Sequence, residues 1–436
     1  MIRSIRRTTA ALTVGAATLA LAACGITAGA TTTDTTLSGT TTTTSVVSSQ
    51  LASTDTHFSQ DDLTWDASSE QTITLADSGS TSSSGSVSVD GSTITITEAG
   101  VYRVSGSLSD GQLVVTAADD ADVTLILDNA SITSTTGSAI SVTSADEVTI
   151  SLAAGTTNAV ADGSSYEVAD DATPVAAIAS ASDLTIAGAG ALNITGNAND
   201  GISTKDGLVI ASGTITVTAV DDAIRGKDYV SVLDGTLDIT SGGDALKSDN
   251  YEDEDAGWVS ITGGSLTIDS GDDGIDAEQA IGVSGGTLDI AQAVEGLEAQ
   301  DITVSGGTVS ITASDDGINA TAKTTAEEAA AAESTSSDDT ENSRQAMGSE
   351  SDDGSTLTIS GGTVTIDAAF DGLDSNGTIA ITGGDTTITS ADNGGDAPVD
   401  ANGDITFENA TLTANGTAIT SADELGTQMG GGPGGK

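Results

Sequence analysis

The sequence predicts an all-β chain wound as a parallel β-helix, with coils of about twenty-two residues and three short strands in each. Three observations carry this expectation. A triplet of an acidic, a small and an apolar residue returns at a nearly constant step. Between triplets run short stretches of alternating apolar residues. Aromatics are only 2% of the chain, while Gly, Thr, Ser, Asp, Ile and Val fill most of it. That mix supplies small and β-branched material for many short strands and tight turns, and it does not suit a helical bundle.

The triplet occurs at Asp200-Gly201-Ile202, Asp222-Ala223-Ile224, Asp244-Ala245-Leu246, Asp273-Gly274-Ile275, Glu295-Gly296-Leu297, Asp316-Gly317-Ile318 and Asp371-Gly372-Leu373. The steps between first residues are 22, 22, 29, 22, 21 and 55. The long steps hold insertions, an acidic loop around Tyr251 to Gly257 and a low-complexity Ala/Glu stretch over 321–355, so the phase survives them. One coil reads Ile281-x-Val283, then Gly285-Gly286-Thr287-Leu288-Asp289-Ile290, then Glu295-Gly296-Leu297. No coil can bury its apolar side alone, whereas stacked coils cover one another. Upstream, Val87 to Ala177 keeps the β-rich character with looser phase and reads as the first coils plus an N-terminal cap, with Ala139-Ile140 and Ala177-Ile178 as earlier rungs. A leucine-rich repeat would need its own Leu/Asn template and a calcium-binding roll a nine-residue period; neither is present.

The N-terminus has Arg3, Arg6 and Arg7, an apolar run from Ala10 to Ala20, and then Leu21-Ala22-Ala23-Cys24-Gly25. This pattern is a signal peptide over 1–23 ending in a lipobox, with Cys24 as the lipidated residue, and it implies an extracytoplasmic protein held to the cell membrane by a lipid anchor alone. The bland alternative is an ordinary secretory signal cut near Ala30. Residues 24–57 form a Ser/Thr-rich tether, 58–425 the body, and 426–436 a Gly-rich tail. Cys24 is the single cysteine, which rules out an intramolecular disulfide and a Cys-rich metal site. Formal charge is -54, and loss of 1–23 removes three arginines and no acids to give -57. Such a field repels nucleic acid, so no nucleic-acid partner is expected.

Stacked coils would bring equivalent acids about 4.8 Å apart, where two unscreened carboxylates repel by about 3 kcal/mol at an effective dielectric near 20. A ladder of that kind needs cations or basic side chains. Asp200, Asp222, Asp244, Asp273 and Asp316 in the triplets, with Asp221, Asp249, Asp272, Asp276, Glu278 and Asp315 beside them, are the candidate metal ligands. Hard oxygen donors suit Ca2+, whereas zinc would want His and Cys. The competing reading is that Asp before Gly is a turn residue for backbone reasons alone.

Seven Lys and Arg lie between the lipobox and Lys436, and four of them are Lys205, Arg225, Lys227 and Lys247. Lys205 and Lys227 are 22 apart, as are Arg225 and Lys247, so each pair stacks on consecutive coils. They either neutralise the acid ladder or line a mixed-charge groove for a sugar chain, with Tyr251 and Trp258 as the nearest aromatics for stacking and Tyr229 beside them; the competing reading of Trp258 is a core residue or loop anchor. His57, the single histidine, is expected to be solvated near the tether, and without another histidine no Ser-His-Asp set exists.

Taken in order, TITITEAGVYRVSGSLSDGQLVV, VTLILDNASIT, NAVADGSSY, DLTIAGAGALNITGNANDGI, DDAIRGKDYVSV, GGDALKSDN and GDDGIDAE resemble the bacterial carbohydrate-binding domain-containing β-helix proteins. That group is related in shape to pectate lyases and typified by a clostridial cellulose- and pectin-binding protein. The resemblance spans roughly Val87 to Asp423 and implies a right-handed β-helix, bound calcium and affinity for plant-type or acidic polysaccharide. The acidic insertion and the scarcity of aromatics depart from it, which argues against flat stacking on cellulose. The leading expectation is a non-catalytic, calcium-stabilised polysaccharide-binding lipoprotein; the rivals are a calcium-dependent uronate lyase with Lys or Arg as base and an adhesin stalk.

Overall fold

The structure is a computed structural model that describes residues 56–425 except 167, 169–172, 254, 324–351 and 394. These residues belong to the compact unit Ser49–Lys436; the other unit, Met1–Ser48, lies outside them. The signal peptide, Cys24, the tether up to residue 55, most of the 321–355 insertion and the Gly-rich tail are likewise outside the described residues.

Strands pair across repeats rather than within them. In one ladder Gly207–Ile210, Tyr229–Val232, Trp258–Ile261, Ala280–Val283 and Asp301–Val304 follow one another in parallel. A second holds Thr214–Ala219, Thr236–Ser241, Ser265–Ser270, Thr287–Ala293 and Thr308–Ala313. The third holds the triplet strands Asp200–Thr204, Ile224–Gly226, Leu246–Ser248, Ile275–Ala277, Leu297–Ala299, Ile318–Ala320 and Leu373–Ser375. Parallel neighbours need a long connection, and here the rest of each repeat supplies it. The chain is therefore all-β with parallel strands in long sheets, and its only helical pieces among the described residues are short 3-10 turns such as Gln60–Leu63. No helix among them is long and apolar enough to cross a membrane.

Alternation sets which side chains enter the core. Thr236–Ser241 buries Leu237, Ile239 and Ser241 and exposes Thr236, Asp238 and Thr240, as a period of two requires. Along the triplet ladder Ile140, Ile178, Ile202, Ile224, Leu246, Ile275, Leu297, Ile318 and Leu373 form one unbroken row, each fully buried. Ala139-Ile140 and Ala177-Ile178 thus lie in line with the later triplets. Both insertions leave register intact, since Leu246 pairs with Ile275 and Ile318 with Leu373.

Parallel pairing begins before Val87, earlier than the periodicity suggests: Gln71–Leu75 already pairs with Gly100–Leu108. The triplet has not started there, which is why phase could not reveal it. Antiparallel pairs finish the ladders, Val87–Asp90 with Thr93–Ile96 near the start and Thr411–Ala414 with Thr417–Ile419 near the end, occupying edges that would otherwise stay open.

Candidate functional site

The middle residues of the triplet strands are Cα partners in succession: Ser203, Arg225, Lys247, Asp276, Glu298, Asn319 and Asp374. One face of the third ladder thus carries a charge row that is basic at one end and acidic further along. At the basic end, Lys205, Arg225, Lys227, Asp249 and Tyr251 line a cleft of about 910 Å³. Ser203, Thr204, Tyr166, Thr173, Pro174 and Val175 also line it. Tyr251 is 44% exposed there, so its ring is open to a ligand.

The three bases differ in engagement. Arg225 holds Asp249 through two nitrogens, and its third lies 4.0 Å from Asp200 Oδ2. Burial alone would lower the Arg225 guanidinium, but Asp249 outweighs it and the net shift is upward. Lys227 lies 3.3 Å from exposed Glu252. Lys205 has no ion pair with a described residue.

Two expected groove residues are elsewhere. Lys247 lies outside the cleft and is held by Asp244, with Asp276 Oδ2 at 3.4 Å and Asp222 Oδ2 at 3.8 Å. Trp258 is 6% exposed and stacks flat on Tyr229, with centroids 4.5 Å apart and planes at 6°. Its indole N–H donates to Asp255 O at 3.2 Å. Buried against Tyr229, this indole braces the ladder and is not an exposed sugar platform.

The triplet acids have a structural task that spacing alone did not disclose. Asp222 Oδ1 accepts the Asp244 N–H at 2.9 Å, Asp244 Oδ1 that of Asp273 at 2.9 Å, and Asp273 Oδ1 that of Glu295 at 3.0 Å. Asp316 Oδ1 accepts the Asp371 N–H at 2.7 Å, and Asp371 Oδ1 accepts from Ala397. These five aspartates tie their repeats to the next through one oxygen, whereas Asp200 Oδ1 accepts from the Asn199 amide. Glu295 is one methylene longer and instead receives the Asn319 amide at 3.2 and 3.3 Å.

Carboxylates also converge beside these ties. Four sets have carboxylate atoms within 4.8 Å of one another: Asp200, Asp221 and Asp222; Asp244, Asp272 and Asp273; Asp273, Glu295 and Glu298; and Asp316, Asp371 and Asp374. Glu295, Asp371 and Asp374 join these sets beyond the expected ligands, and Glu298, an acid beside the ladder, joins Asp273 and Glu295. Four expected ligands stand outside these sets. Asp249 pairs with Arg225, and Asp276 lies between Lys247 at 3.4 Å and Lys323 at 2.8 Å. Glu278 and Asp315 belong to none of the sets.

Burial raises Asp200, Asp244, Asp273, Glu295 and Asp371 among these carboxyls. It pushes Asp200 up to about 7 with help from Asp222, Asp273 to about 8, Glu295 to about 8 with help from Glu298, and Asp371 to about 7 despite the Ala397 N–H. Asp244 reaches about 6 because Lys247 opposes the burial. Asp200 Oδ2 is buried without a hydrogen-bond partner.

His57 was expected in solvent. Its ring is instead packed against the body, 2.6 Å from the Tyr229 hydroxyl and 2.9 Å from Thr185 Oγ1. No local pattern announces a contact across 172 residues.

No curated protein matches this chain. A solved structure, titled as that of the polysaccharide lyase-like protein from C. thermocellum in its gadolinium derivative, is similar to it at 33% identity, covering 55% of this chain and 94% of that one, with a TM-score of 0.49. The model of the family described as carbohydrate-binding domain-containing protein matches residues 90–301 and 295–397. The chain therefore belongs to the carbohydrate-binding domain-containing family.

Proposed function

We propose that this protein is a non-catalytic, calcium-stabilised polysaccharide-binding lipoprotein, held by a lipid on Cys24 at the extracytoplasmic face of the cell membrane. Its three parallel ladders close into a right-handed β-helix. The glycan is acidic or plant-type and lies in the cleft lined by Lys205, Arg225, Lys227 and Tyr251. The observation that carries this reading is the cleft itself: in a chain of formal charge -54, three of eleven basic residues face one space beside an exposed tyrosine. Carboxylates of a uronate chain would find cations there, and a sugar face a ring.

Calcium belongs to this proposal through the donor chemistry. Asp316, Asp371 and Asp374 offer hard oxygens within 4.8 Å of one another. Carboxylates with turn carbonyls suit calcium's preference for six to eight oxygens. At Asp244, by contrast, Lys247 already supplies positive charge. A bound cation would favour the ionised form that burial disfavours.

Binding to an array of acidic and neutral glycans, with and without chelator, tests the proposal. Retention on uronate-containing chains that weakens on chelation is the expected result, and no retention on any glycan would leave the adhesin stalk. A uronate lyase is the second reading, favoured by Lys205, which lines the cleft without an ion pair to a described residue. Sustained release of unsaturated product from polygalacturonate with calcium present would replace binding by catalysis.

A further inference from the structure

We propose that the ammonium groups of Lys247 and Lys323 hold the places of metal ions in the middle of the charge row, so that this stretch of the third ladder carries its own cations and takes up a divalent ion only when a lysine is removed. The choice of calcium as that ion rests on the function proposed above; the ammonium contacts do not.

Two of the four convergent carboxylate sets lie on neighbouring repeats and share Asp273: Asp244 with Asp272 and Asp273, and Asp273 with Glu295 and Glu298. Lys247 sits on the first set, held by Asp244, with Asp276 Oδ2 at 3.4 Å and Asp222 Oδ2 at 3.8 Å. Lys323 sits on the second, held by Glu298, with Asp276 Oδ1 at 2.8 Å. Asp276 thus gives one oxygen to each ammonium. Asp222, Lys247, Asp276, Lys323 and Glu298 form a single chain of contacts that alternates in sign.

This chain is built into the body. The two lysine side chains are 26% and 19% exposed. Lys323 follows strand Ile318–Ala320 and reaches back one repeat to Glu298 and two to Asp276. Asp276 Oδ1 is buried without a hydrogen-bond partner, and Lys323 is the base that compensates it. Burial by itself would lower both ammonium groups, but Asp244 and Asp222 outweigh it at Lys247, as Asp276 and Glu298 do at Lys323, and both shifts are upward.

Taking away an ammonium leaves the acids in place, and a buried charge that loses its partner is strongly destabilising. Without Lys323, the Asp273, Glu295 and Glu298 carboxylates still lie within 4.8 Å of one another, and Asp276 Oδ1 is left uncompensated beside Glu298. Those are hard oxygens, with room where the ammonium stood, and they are the donors that calcium takes.

Calorimetric titration of calcium into the chelator-stripped full chain, together with urea melts in chelator and at saturating calcium, tests this on the native protein, Lys247→Ala and Lys323→Ala. Each variant is expected to bind one calcium ion more per chain than the native protein, to melt at lower urea in chelator, and to regain the difference in calcium. Arg103→Gln removes a base held by Glu70 and Asp128, away from the row, and is expected to gain no ion. Where a stripped variant shows no cooperative melt, metal analysis of the calcium-loaded protein supplies the ion count instead. An unchanged count in either lysine variant, or an extra ion in Arg103→Gln, would overturn the inference. No calcium in the native protein but one ion in each lysine variant would uphold it and overturn the calcium of the proposed function.

Discussion

Asp273 joins two demands in one side chain. Its Oδ1 accepts the Glu295 N–H, which ties adjacent repeats, while burial makes its negative charge costly and raises the carboxyl to about 8. Substitutions separate the two. Asp273→Asn keeps an acceptor and removes the charge, so chelated protein is expected to keep or gain stability in urea melts at neutral pH. Asp273→Ala leaves the Glu295 N–H unpaired and is expected to cost about 1–3 kcal/mol. Equal losses in both variants would mean that the tie between repeats is not what this residue contributes. The acids were visible in the sequence through their 22-residue step, but this hydrogen bond was not, because a turn residue and a metal ligand share the same spelling.

At the scale of the element, the triplet strand works because its apolar residue falls on a continuous buried row. Leu297 lies between Ile275 and Ile318 and is fully buried. Leu297→Ala removes contacts with both neighbouring repeats, and the expected loss is about 2–5 kcal/mol by equilibrium unfolding. The turn before the second ladder obeys a different constraint. Gly286 has φ 77° and its missing Cβ would meet Gly263 backbone at 2.7 Å, so Gly286→Ala is expected to destabilise by more than the roughly 1 kcal/mol of a left-handed position alone. These elements were legible because Ile, Leu and the Gly pair return in phase. Trp258 was not legible: an exposed ring and a buried one read alike until Tyr229, its register partner, covers it. For Lys247 the 22-residue step from Arg225 gives the row but does not decide between neutralising the acids and lining a groove, because it does not show the depth to which Asp244, Asp222 and Asp276 draw the ammonium.

For the whole molecule, pH dependence follows from carboxyls that titrate above their ordinary range. Asp200, Asp273, Glu295 and Asp371 bind protons more tightly folded than unfolded, with folded values of about 7, 8, 8 and 7. Stability from this source is fully present below the unfolded values near 4 and is lost as pH rises through the folded ones. The chelated protein is therefore expected to show a lower thermal midpoint at about pH 8 than at about pH 5. Calcium should narrow that gap, because it favours the ionised carboxylates. A midpoint that rises with pH after chelation would contradict the burial argument. The repeat register was readable along most of the chain, whereas the docking of His57 and the early strand Gln71–Leu75 depend on contacts outside the repeat.

Register brings Lys205, Arg225 and Lys227 from two repeats into one cleft, the one we propose binds polysaccharide. Calorimetric titration of a galacturonate oligomer, at fixed calcium, into the native protein and into a Lys205→Ala, Lys227→Ala double variant tests this most directly. Affinity at least tenfold weaker in the double variant, with unchanged melting, is the predicted result. Equal affinity in the two proteins would contradict it.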